Sequence, residues 1–413
     1  MTHHCRHCGT PLQHEVIDLG HQPPSNAYLC EAKLSLPEVT FPLRVYVCSN
    51  CWLVQLPMHA PADELFTADY AYFSSTSITW CQHAERFVQA AVKRLSLGPG
   101  SLVVEVASND GYLLQYVKAQ GIPCLGIEPT HATAETARSK GVETIERFFG
   151  GALAEELISD GRRADLLVAN NVLAHVPDIN DFLAAIARLL RPSGLASVEF
   201  PHLLRLLDGN QFDTIYHEHY SYLSLTTLQR MAEAVGLMVF DAEPLTTHGG
   251  SLRIWLARRG EAASQRQTVA EREAVSTVLS EERAAGLETL AAYAHCQINA
   301  LSAKFALMEY LLAARRSGQC VLAYGAAAKG NTMLNFAGIR SDLLQAVADR
   351  APSKIGKWLP GSHIPVVSVE DLLARRPDEL LVLPWNLAKE VKAQLSGSIA
   401  IPIKVAIPSL MTI

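Results

Sequence analysis

The stretch Ser101-Leu-Val-Val-Glu-Val-Ala-Ser-Asn-Asp-Gly-Tyr-Leu-Leu114 runs from apolar residues through a small, polar turn into a second apolar segment. The pattern predicts a buried strand over 102–106, a turn and then a helix, which is the first unit of a doubly wound α/β sheet. Ligands of such sheets bind at the carboxyl ends of the strands, where this turn lies. The turn lacks the spacing Gly-x-Gly-x-x-Gly, which argues against a dinucleotide.

Acidic and amide side chains stand at the ends of three predicted strands. The strand over 124–128 ends in Glu128, which follows Asp110 at close to the offset of about 20 residues that is typical of a ribose-binding acid. An acidic strand end with a turn of Ser-Asn-Asp-Gly suits a ligand with a positive centre, and S-adenosylmethionine is such a ligand. The residues expected to bind it are Glu105, Ala107, Asn109, Asp110, Glu128, Asn170 and Asn171.

Further strands and helices alternate on both sides of this stretch. A helix over about 80–95 precedes it. A helix over 180–190, a turn at Arg191-Pro-Ser-Gly194 and a strand over 195–200 follow it. Regular alternation of strand and helix predicts a mostly parallel sheet.

The run Asp213-Thr-Ile-Tyr-His-Glu-His-Tyr-Ser-Tyr222 brings two histidines, a glutamate and several tyrosines together. A general base needs a pKa near neutrality, which histidine has, so we expect a catalytic role. In a strand, the alternation would place the tyrosines and the glutamate opposite His217 and His219, whereas an irregular loop could bring both sets to one pocket. The alternatives are a polar surface hairpin and a metal site built on the two histidines, for which no third ligand lies nearby.

Two cysteine pairs near the N-terminus, Cys5-Arg-His-Cys8 and Cys48-Ser-Asn-Cys51, have the spacing of zinc knuckles. Four thiolates form a closed tetrahedral zinc site with no position for water, so we expect a structural zinc. A redox dithiol and a chance pairing are the alternatives. Three nearby histidines are expected to be bystanders, although one could replace a cysteine: His3, His4 and His7.

The C-terminal part predicts a second α/β unit behind long helices. Residues 260–315 are rich in Ala, Glu, Arg and Leu and contain no proline, which predicts helices. The stretch 319–332 then reads as strand, small-residue turn and helix, and Lys329 precedes Gly330, so the turn is not a P-loop. Small residues at a helix N-terminus suit a phosphate or a sugar nucleotide. This part either is structural or binds half of the substrate, and we favour binding.

The bulk properties exclude several classes. The 413 residues predict two or three domains, and the net charge of -6 argues against binding nucleic acid through bulk electrostatics. No apolar run approaches a membrane span of about 20 residues, and the N-terminus is not typical of a signal peptide. We expect a cytoplasmic monomer with domains at 1–60, 61–258 and 259–413.

At the level of whole motifs, the chain resembles bacterial sugar-nucleotide C-methyltransferases, which methylate C-3 of dTDP-linked 4-keto-deoxysugars, so we expect a dTDP-linked or other nucleoside-diphosphate-linked 4-keto-deoxysugar as substrate. The resemblance covers essentially the whole length. Its motifs are the paired cysteine knuckles, Tyr70-Ala-Tyr-Phe-Ser-Ser-Thr-Ser77, Ser108-Asn-Asp-Gly111, Asn170-Asn-Val-Leu-Ala-His175, Tyr216-His-Glu-His219, His248-Gly-Gly-Ser-Leu-Arg253 and Tyr324-Gly-Ala-Ala-Ala-Lys-Gly-Asn331.

The resemblance implies a zinc domain, a central S-adenosylmethionine domain, a C-terminal Rossmann-like domain, and an active site between the last two. It implies His219 as the base, with these residues around it: Tyr216, Glu218, Tyr70 and His175. The expected substrate-binding residues are Tyr72, Ser77, His248, Tyr324, Lys329, Asn331 and Lys354. One departure is Ala107, where such methyltransferases often carry glycine, and we expect the cofactor still to bind.

The rival interpretations are a nicotinamide-dependent sugar-nucleotide ketoreductase, a non-catalytic zinc-ribbon binding protein and, more weakly, an RNA methyltransferase. The first predicts a Gly-x-Gly-x-x-Gly turn, which neither turn has. The second predicts no affinity for S-adenosylmethionine.

Overall fold

The computed structural model describes residues 3–59, 73–397 and 401–413. Tyr70 and Tyr72, both predicted site residues, lie outside the described residues together with Ala71, whereas the rest of the Tyr70–Ser77 motif is described. Among the described helices, none is both long enough and apolar enough to span a membrane.

The strands are β1 (His14–Gln22), β2 (Phe41–Val47), β3 (Val54–Gln55), β4 (Val103–Val106), β5 (Cys124–Ile127), β6 (Thr144–Ile145), β7 (Ala164–Asn170), β8 (Leu190–Pro201), β9 (Ser221–Tyr222), β10 (Leu237–Leu245), β11 (Ser251–Arg258), β12 (Val321–Tyr324), β13 (Val347–Ala348), β14 (Val366–Val367), β15 (Glu379–Val382), β16 (Ile403–Val405) and β17 (Met411–Thr412). The α-helices are α1 (Ile78–Leu95), α2 (Leu114–Ala119), α3 (His131–Ser139), α4 (Gly151–Ser159), α5 (Ile179–Leu189), α6 (Leu203–Asp208), α7 (Leu225–Ala234), α8 (Glu261–Arg266), α9 (Val269–Ala284), α10 (Cys296–Arg316), α11 (Ala328–Ala337), α12 (Val369–Ala374) and α13 (Ala388–Leu395).

The central sheet has the order β10-β11-β8-β7-β4-β5-β6. Strands β4 to β8 are parallel to one another, and β10 and β11 add an antiparallel edge. The carboxyl ends of β4, β5 and β7 therefore meet at one edge of the sheet, where ligands of doubly wound sheets bind. This confirms the predicted mixed α/β class with a Rossmann-like central sheet.

Helices cover both faces of that sheet because each buries one apolar face. In α1, Trp80, Ala84, Phe87 and Ala91 recur at helical spacing and are buried against one side. On the other side, α5 buries a similar set next to α4. The predicted helix over 80–95 is thus confirmed, and it begins two residues earlier.

The turn predicted at Arg191-Pro-Ser-Gly194 is wrong. These residues belong to β8, which pairs with β7 at Leu190 and again from Leu195 onward. The register shift between the two pairings absorbs the extra residues as a bulge, so proline and glycine distort the strand here and do not end it.

The N-terminal module is a small antiparallel sheet of order β1-β2-β3-β9. Its last strand, Ser221–Tyr222, comes from the centre of the chain and pairs with Val54 and Gln55. Because β9 forms the last two residues of the histidine-rich run, the module that carries the cysteines also anchors one end of that run.

The C-terminal sheet has the order β14-β13-β12-β15-β16-β17, with parallel pairs from β14 to β16. The long helices predicted over 260–315 are confirmed in α9 and α10, although a short 3-10 turn at Leu290–Tyr293 separates them. The strand–turn–helix predicted over 319–332 corresponds to β12 and α11.

Candidate active site

The four knuckle cysteines converge on one point. Their sulfur atoms all lie within 4.8 Å of one another, and Cys5 to Cys51 and Cys8 to Cys48 are each 3.5 Å apart. Tetrahedral zinc with Zn–S bonds of about 2.3 Å needs sulfurs roughly 3.8 Å apart, so the site fits that metal. The cluster contains no histidine, and among the nearby imidazoles His7 contacts Asn180 instead, with 2.7 Å between Nδ1 and Oδ1.

The turn after β4 has an unusual backbone. The backbone φ angles of Ala107, Asn109 and Gly111 are 51°, 50° and 75°. These values lie in the left-handed region, which residues other than glycine seldom adopt. Glu128 stabilises this shape, because its carboxylate accepts hydrogen bonds from the backbone N–H groups of Asn109 and Thr130, each at 2.9 Å. Ala107 thus takes the backbone shape that a glycine would supply.

Several buried polar atoms beside this turn have no hydrogen-bond partner in the protein. Both amide atoms of Asn170, Oδ1 of Asn171, one oxygen of Glu105 and the Ser108 hydroxyl are in this state. Burying such groups without partners is costly, so these atoms are suited to a bound ligand. Burial also raises the pKa of Glu105 well above its usual range.

Asp110 differs from these residues because its carboxylate is already engaged. It accepts a hydrogen bond from the Ser75 hydroxyl, and the Lys140 ammonium lies 3.2 Å away. The adjacent Ser74 N–H donates to the Asn109 side chain at 2.8 Å. The segment before α1 therefore closes over the turn, and Asp110 holds that segment.

His219 has the geometry of a proton acceptor. Its Nδ1 lies 2.8 Å from the carbonyl of Thr214, and a carbonyl only accepts, so Nδ1 carries the proton. Its Nε2 therefore carries no proton, and its lone pair accepts a hydrogen bond of 2.8 Å from the Tyr216 hydroxyl. Burial, reinforced by His175, lowers the pKa of His219 well below its usual range, which keeps the ring neutral.

The two histidines of the run face different parts of the protein. The His175 ring lies 4.6 Å from that of His219 and donates through Nδ1 to the carbonyl of Glu218 at 2.7 Å. His217 turns away toward the N-terminal module, where its Nε2 lies 3.3 Å from the carbonyl of Phe41. The run is thus the irregular loop of the two predicted alternatives, and only His219 of its two histidines faces His175.

A charged pair from distant parts of the chain borders the same loop. Asp213 is buried and accepts a hydrogen bond from Trp385 Nε1 at 2.8 Å, and burial raises its pKa to about 6. The Lys329 ammonium lies 4.8 Å from the centre of the Trp385 ring. Burial lowers the pKa of Lys329, while the charge of Asp213 opposes that shift.

Comparison of the chain with known proteins identifies its family. Three family models match in succession: "Putative zinc binding domain" at residues 5–66, "Methyltransferase domain" at 80–241 and "C-methyltransferase C-terminal domain" at 246–408. The C-methyltransferase NovU of Streptomyces niveus is 35% identical over 387 residues, covering 94% of this chain and 90% of NovU. The chain belongs to the C-methyltransferase family.

More distant similarities cover less of this C-methyltransferase. A ubiquinone biosynthesis O-methyltransferase of Aeromonas salmonicida is 26% identical over 34% of the chain and 65% of its own length. Among solved structures, the PH0226 protein of Pyrococcus horikoshii covers 46% of the chain and 95% of its own length, with 14% identity and a TM-score of 0.37.

The residues of the C-methyltransferase fit S-adenosylmethionine, the methyl donor of the reaction. Glu128, the unpartnered amide of Asn170 and the unpartnered Oδ1 of Asn171 stand at the edge where the parallel strands end. The acidic, glycine-poor turn offers hydrogen-bond acceptors to a ribose and an amino group and presents no phosphate cradle. The nicotinamide and non-catalytic interpretations are set aside, because the family is one of methyltransferases.

The C-terminal sheet of the C-methyltransferase repeats the hydrogen bonds that shape the turn after β4. Asp349 follows β13 as Glu128 follows β5, and its carboxylate accepts from the N–H groups of Ala326 and Ala351, each at 2.8 Å. In both sheets, an acidic residue that follows one strand (β5 or β13) therefore accepts a hydrogen bond from the turn after the neighbouring strand (β4 or β12). It accepts a second one from the backbone N–H two residues after itself. The two turns therefore share one hydrogen-bond arrangement.

The remaining predicted substrate residues lie in different surroundings. Lys354 donates to the carbonyl of Ala326 at 2.8 Å, and Asn331 is buried in α11 with Oδ1 unpartnered. The Tyr324 side chain is buried beside that turn. Ser77 is the N-cap of α1, where its hydroxyl accepts from the N–H of Trp80, and the His248 ring packs against Trp80.

Residues that sequence reasoning missed come from far along the chain. Asn26 Nδ2 lies 2.8 Å from both carboxylate oxygens of Glu218, and Trp385 holds Asp213. Neither residue belongs to a recognisable motif. The only signal for Asn26 is its place after two prolines, which is typical of a turn.

Proposed function

We propose that this C-methyltransferase transfers a methyl group to the carbon next to the ketone, C-3, of a nucleotide-linked 4-keto-deoxysugar, in the biosynthesis of a branched-chain sugar. The observation that carries the proposal is the tautomer of His219. A buried imidazole with its proton on Nδ1 and an unprotonated Nε2 is suited to removing a proton from carbon.

A carbon acceptor needs such a base, whereas an oxygen acceptor is already nucleophilic. A neighbouring ketone makes the α-proton acidic enough for a neutral imidazole, because the electron pair moves onto the ketone oxygen as an enolate. The proposed donor to that oxygen is Tyr216 or Tyr70. The Tyr216 hydroxyl lies 2.8 Å from Nε2 of the base, and its one proton would turn from Nε2 to the ketone oxygen when the substrate takes its place beside Nε2. S-adenosylmethionine, when bound, supplies the electrophilic methyl group.

The neighbouring residues then have distinct tasks. His175 holds the backbone of Glu218 and restricts the ring of His219. Glu218 orients a polar substituent of the sugar. Positioning of this kind supplies much of the rate when two reactants must meet in line.

The nucleotide half of the substrate is assigned to the C-terminal turn. The match between Asp349 and Glu128 supports a nucleoside there, and Lys329 and Lys354 supply cations for a diphosphate. The proposed domains at 1–60, 61–258 and 259–413 agree with the three sheets except at β9, which pairs with the first module.

The test is turnover. The purified protein is incubated with S-adenosylmethionine and a panel of 4-keto sugar nucleotides that differ in base and in the substituent at C-3, and the products are analysed by mass. We expect the gain of one methyl group, retained on the sugar after the nucleotide is hydrolysed. Methylation of an oxygen or nitrogen, or none with any 4-keto sugar nucleotide, would refute the proposal.

A further inference from the structure

A short segment of the N-terminal module reaches the proposed active site. Residues 23–29, here called the strap, leave β1 through Pro23 and Pro24. The strap turns at once, because the N–H of Ala27 donates to the carbonyl of Pro24 at 3.1 Å. Asn26 occupies the third position of that turn, where asparagine is favoured.

The strap is fixed to the C-terminal domain at its far end. Leu29 and Trp358 exchange two backbone hydrogen bonds of 2.9 Å. The Tyr28 hydroxyl donates to the carbonyl of Ala326 at 2.5 Å, in the turn assigned to the nucleotide. Anchors on both sides leave Asn26 little freedom to move.

Asn26 is aimed at the carboxylate of Glu218. Its Nδ2 lies 2.8 Å from Oε1 and 2.8 Å from Oε2, so the nitrogen stands midway between the two oxygens. Because a carboxylate only accepts, the amide must present its nitrogen and not its oxygen. Glu218 is 2% exposed, and a carboxylate buried to that degree needs donors to remain ionised.

We infer that Asn26 is a positioning residue for the reaction: it holds Glu218 ionised and oriented from a neutral donor that belongs to the zinc-binding module. The inference rests on the proposed role of Glu218. A lysine or arginine at this place would neutralise the carboxylate, and an aspartate would share a proton with it. Asparagine fixes both oxygens and leaves the charge for the substrate.

The test compares two variants with a neighbour in the strap. Asn26→Asp is nearly isosteric and sets two carboxylates face to face, which raises the apparent pKa of the pair. We expect the acid limb of the kcat profile to move up by more than about one pH unit, so that activity lost at neutral pH returns in part at higher pH. Asn26→Ala should lower kcat about tenfold on the pH plateau, since a hydrogen bond to a charged group is lost, and should move the acid limb in the same direction by less.

Controls separate positioning from folding. Ser25→Ala removes only a hydroxyl contact of 3.4 Å to Thr332 and should keep wild-type kcat. Zinc content and the KM for S-adenosylmethionine should match wild type in all three variants, and every melting temperature should stay well above the assay temperature. Wild-type turnover on the keto-sugar nucleotide tests the proposed reaction itself, so a failure of this inference appears only in the variants. A uniform loss in Asn26→Asp without a pH shift, or wild-type kcat in Asn26→Ala, would overturn it.

Discussion

Two clusters of ionisable side chains in this protein lie on one small sheet and behave in opposite ways. The four cysteines converge until their sulfurs are within 4.8 Å, a closed site that only a metal completes. The histidines of the loop before β9 diverge, and each donates to a separate backbone carbonyl. Convergence produces a structural anchor, whereas burial keeps the His219 imidazole neutral and its hydrogen bond to Thr214 leaves Nε2 unprotonated.

The clusters are nevertheless linked through neighbouring strands. Gln55 donates from Nε2 to the sulfur of Cys5 at 3.1 Å, and its backbone pairs with Ser221, two residues after His219. We therefore expect damage to the cysteine cluster to reach the base, but not the reverse.

The largest effect should follow loss of a zinc ligand. Because the metal supplies folding free energy, Cys48→Ser should destabilise the N-terminal module by more than about 5 kcal/mol and abolish activity as well. Zinc content and melting temperature measure it. Cys30→Ser is the matched control, since Cys30 is exposed and outside the cluster, and its zinc content should be that of wild type. Full stability of Cys48→Ser without metal would contradict a structural zinc.

The next effect should be chemical and leave the fold intact. His219→Asn should reduce kcat about 10³-fold, within the range for loss of a general base, with unchanged zinc content and melting temperature. His217→Asn, the same change two residues earlier, should reduce kcat less than about threefold because that ring faces Phe41. Steady-state methyl transfer distinguishes the two. Equal losses in both variants would show that the loop acts as a unit.

A smaller effect should appear where the clusters are joined. Gln55→Leu removes the hydrogen bond to Cys5 and should weaken zinc binding about 10- to 100-fold, as is typical when a ligand loses its outer partner. Competition with a chromophoric chelator measures the affinity. If the link is real, kcat falls in step with zinc occupancy. Unaltered zinc affinity would place Gln55 outside the metal site.

The smallest effect concerns pH. Burial lowers the pKa values of His175, His217 and His248 to about 4, from an ordinary value of about 6.5. Between those values the unfolded chain binds protons that the native state does not, so stability is complete above pH 6.5 and is lost as pH falls toward 4. His217 alone contributes a slope of up to about 1.4 kcal/mol per pH unit. Chemical denaturation at several pH values should show a shallower slope for His217→Asn, and an unchanged slope would contradict the buried neutral ring.

The same contrast explains what could be predicted from sequence. The cysteine site and the strand–turn–helix units are local: Cys5 and Cys8 are ligands because of their spacing, and Glu128 follows its strand by a fixed offset. The direction of His217 and His219 is not local, since it depends on carbonyls of Phe41 and Thr214. Contacts such as Asn26 to Glu218 join residues 192 apart in the chain, and no pattern within either segment specifies them.

Ser77 shows a second reason why a residue's role cannot be predicted from sequence alone. Its place in a hydroxyl-rich motif indicated a substrate contact, but a serine before an apolar helical pattern is equally typical of an N-cap, which is what the structure shows. Asp110 likewise combines a predicted ligand role with a structural one, because Ser75 and Lys140 already engage its carboxylate.

The most direct test of the central claim is exchange of the sugar α-proton in heavy water, with the 4-keto sugar nucleotide and no methyl donor, followed by NMR. The account predicts that the wild-type protein exchanges the C-3 proton for deuterium and that His219→Asn does not, while His217→Asn does. Exchange at the wild-type rate in His219→Asn would contradict the assignment of His219 as the base.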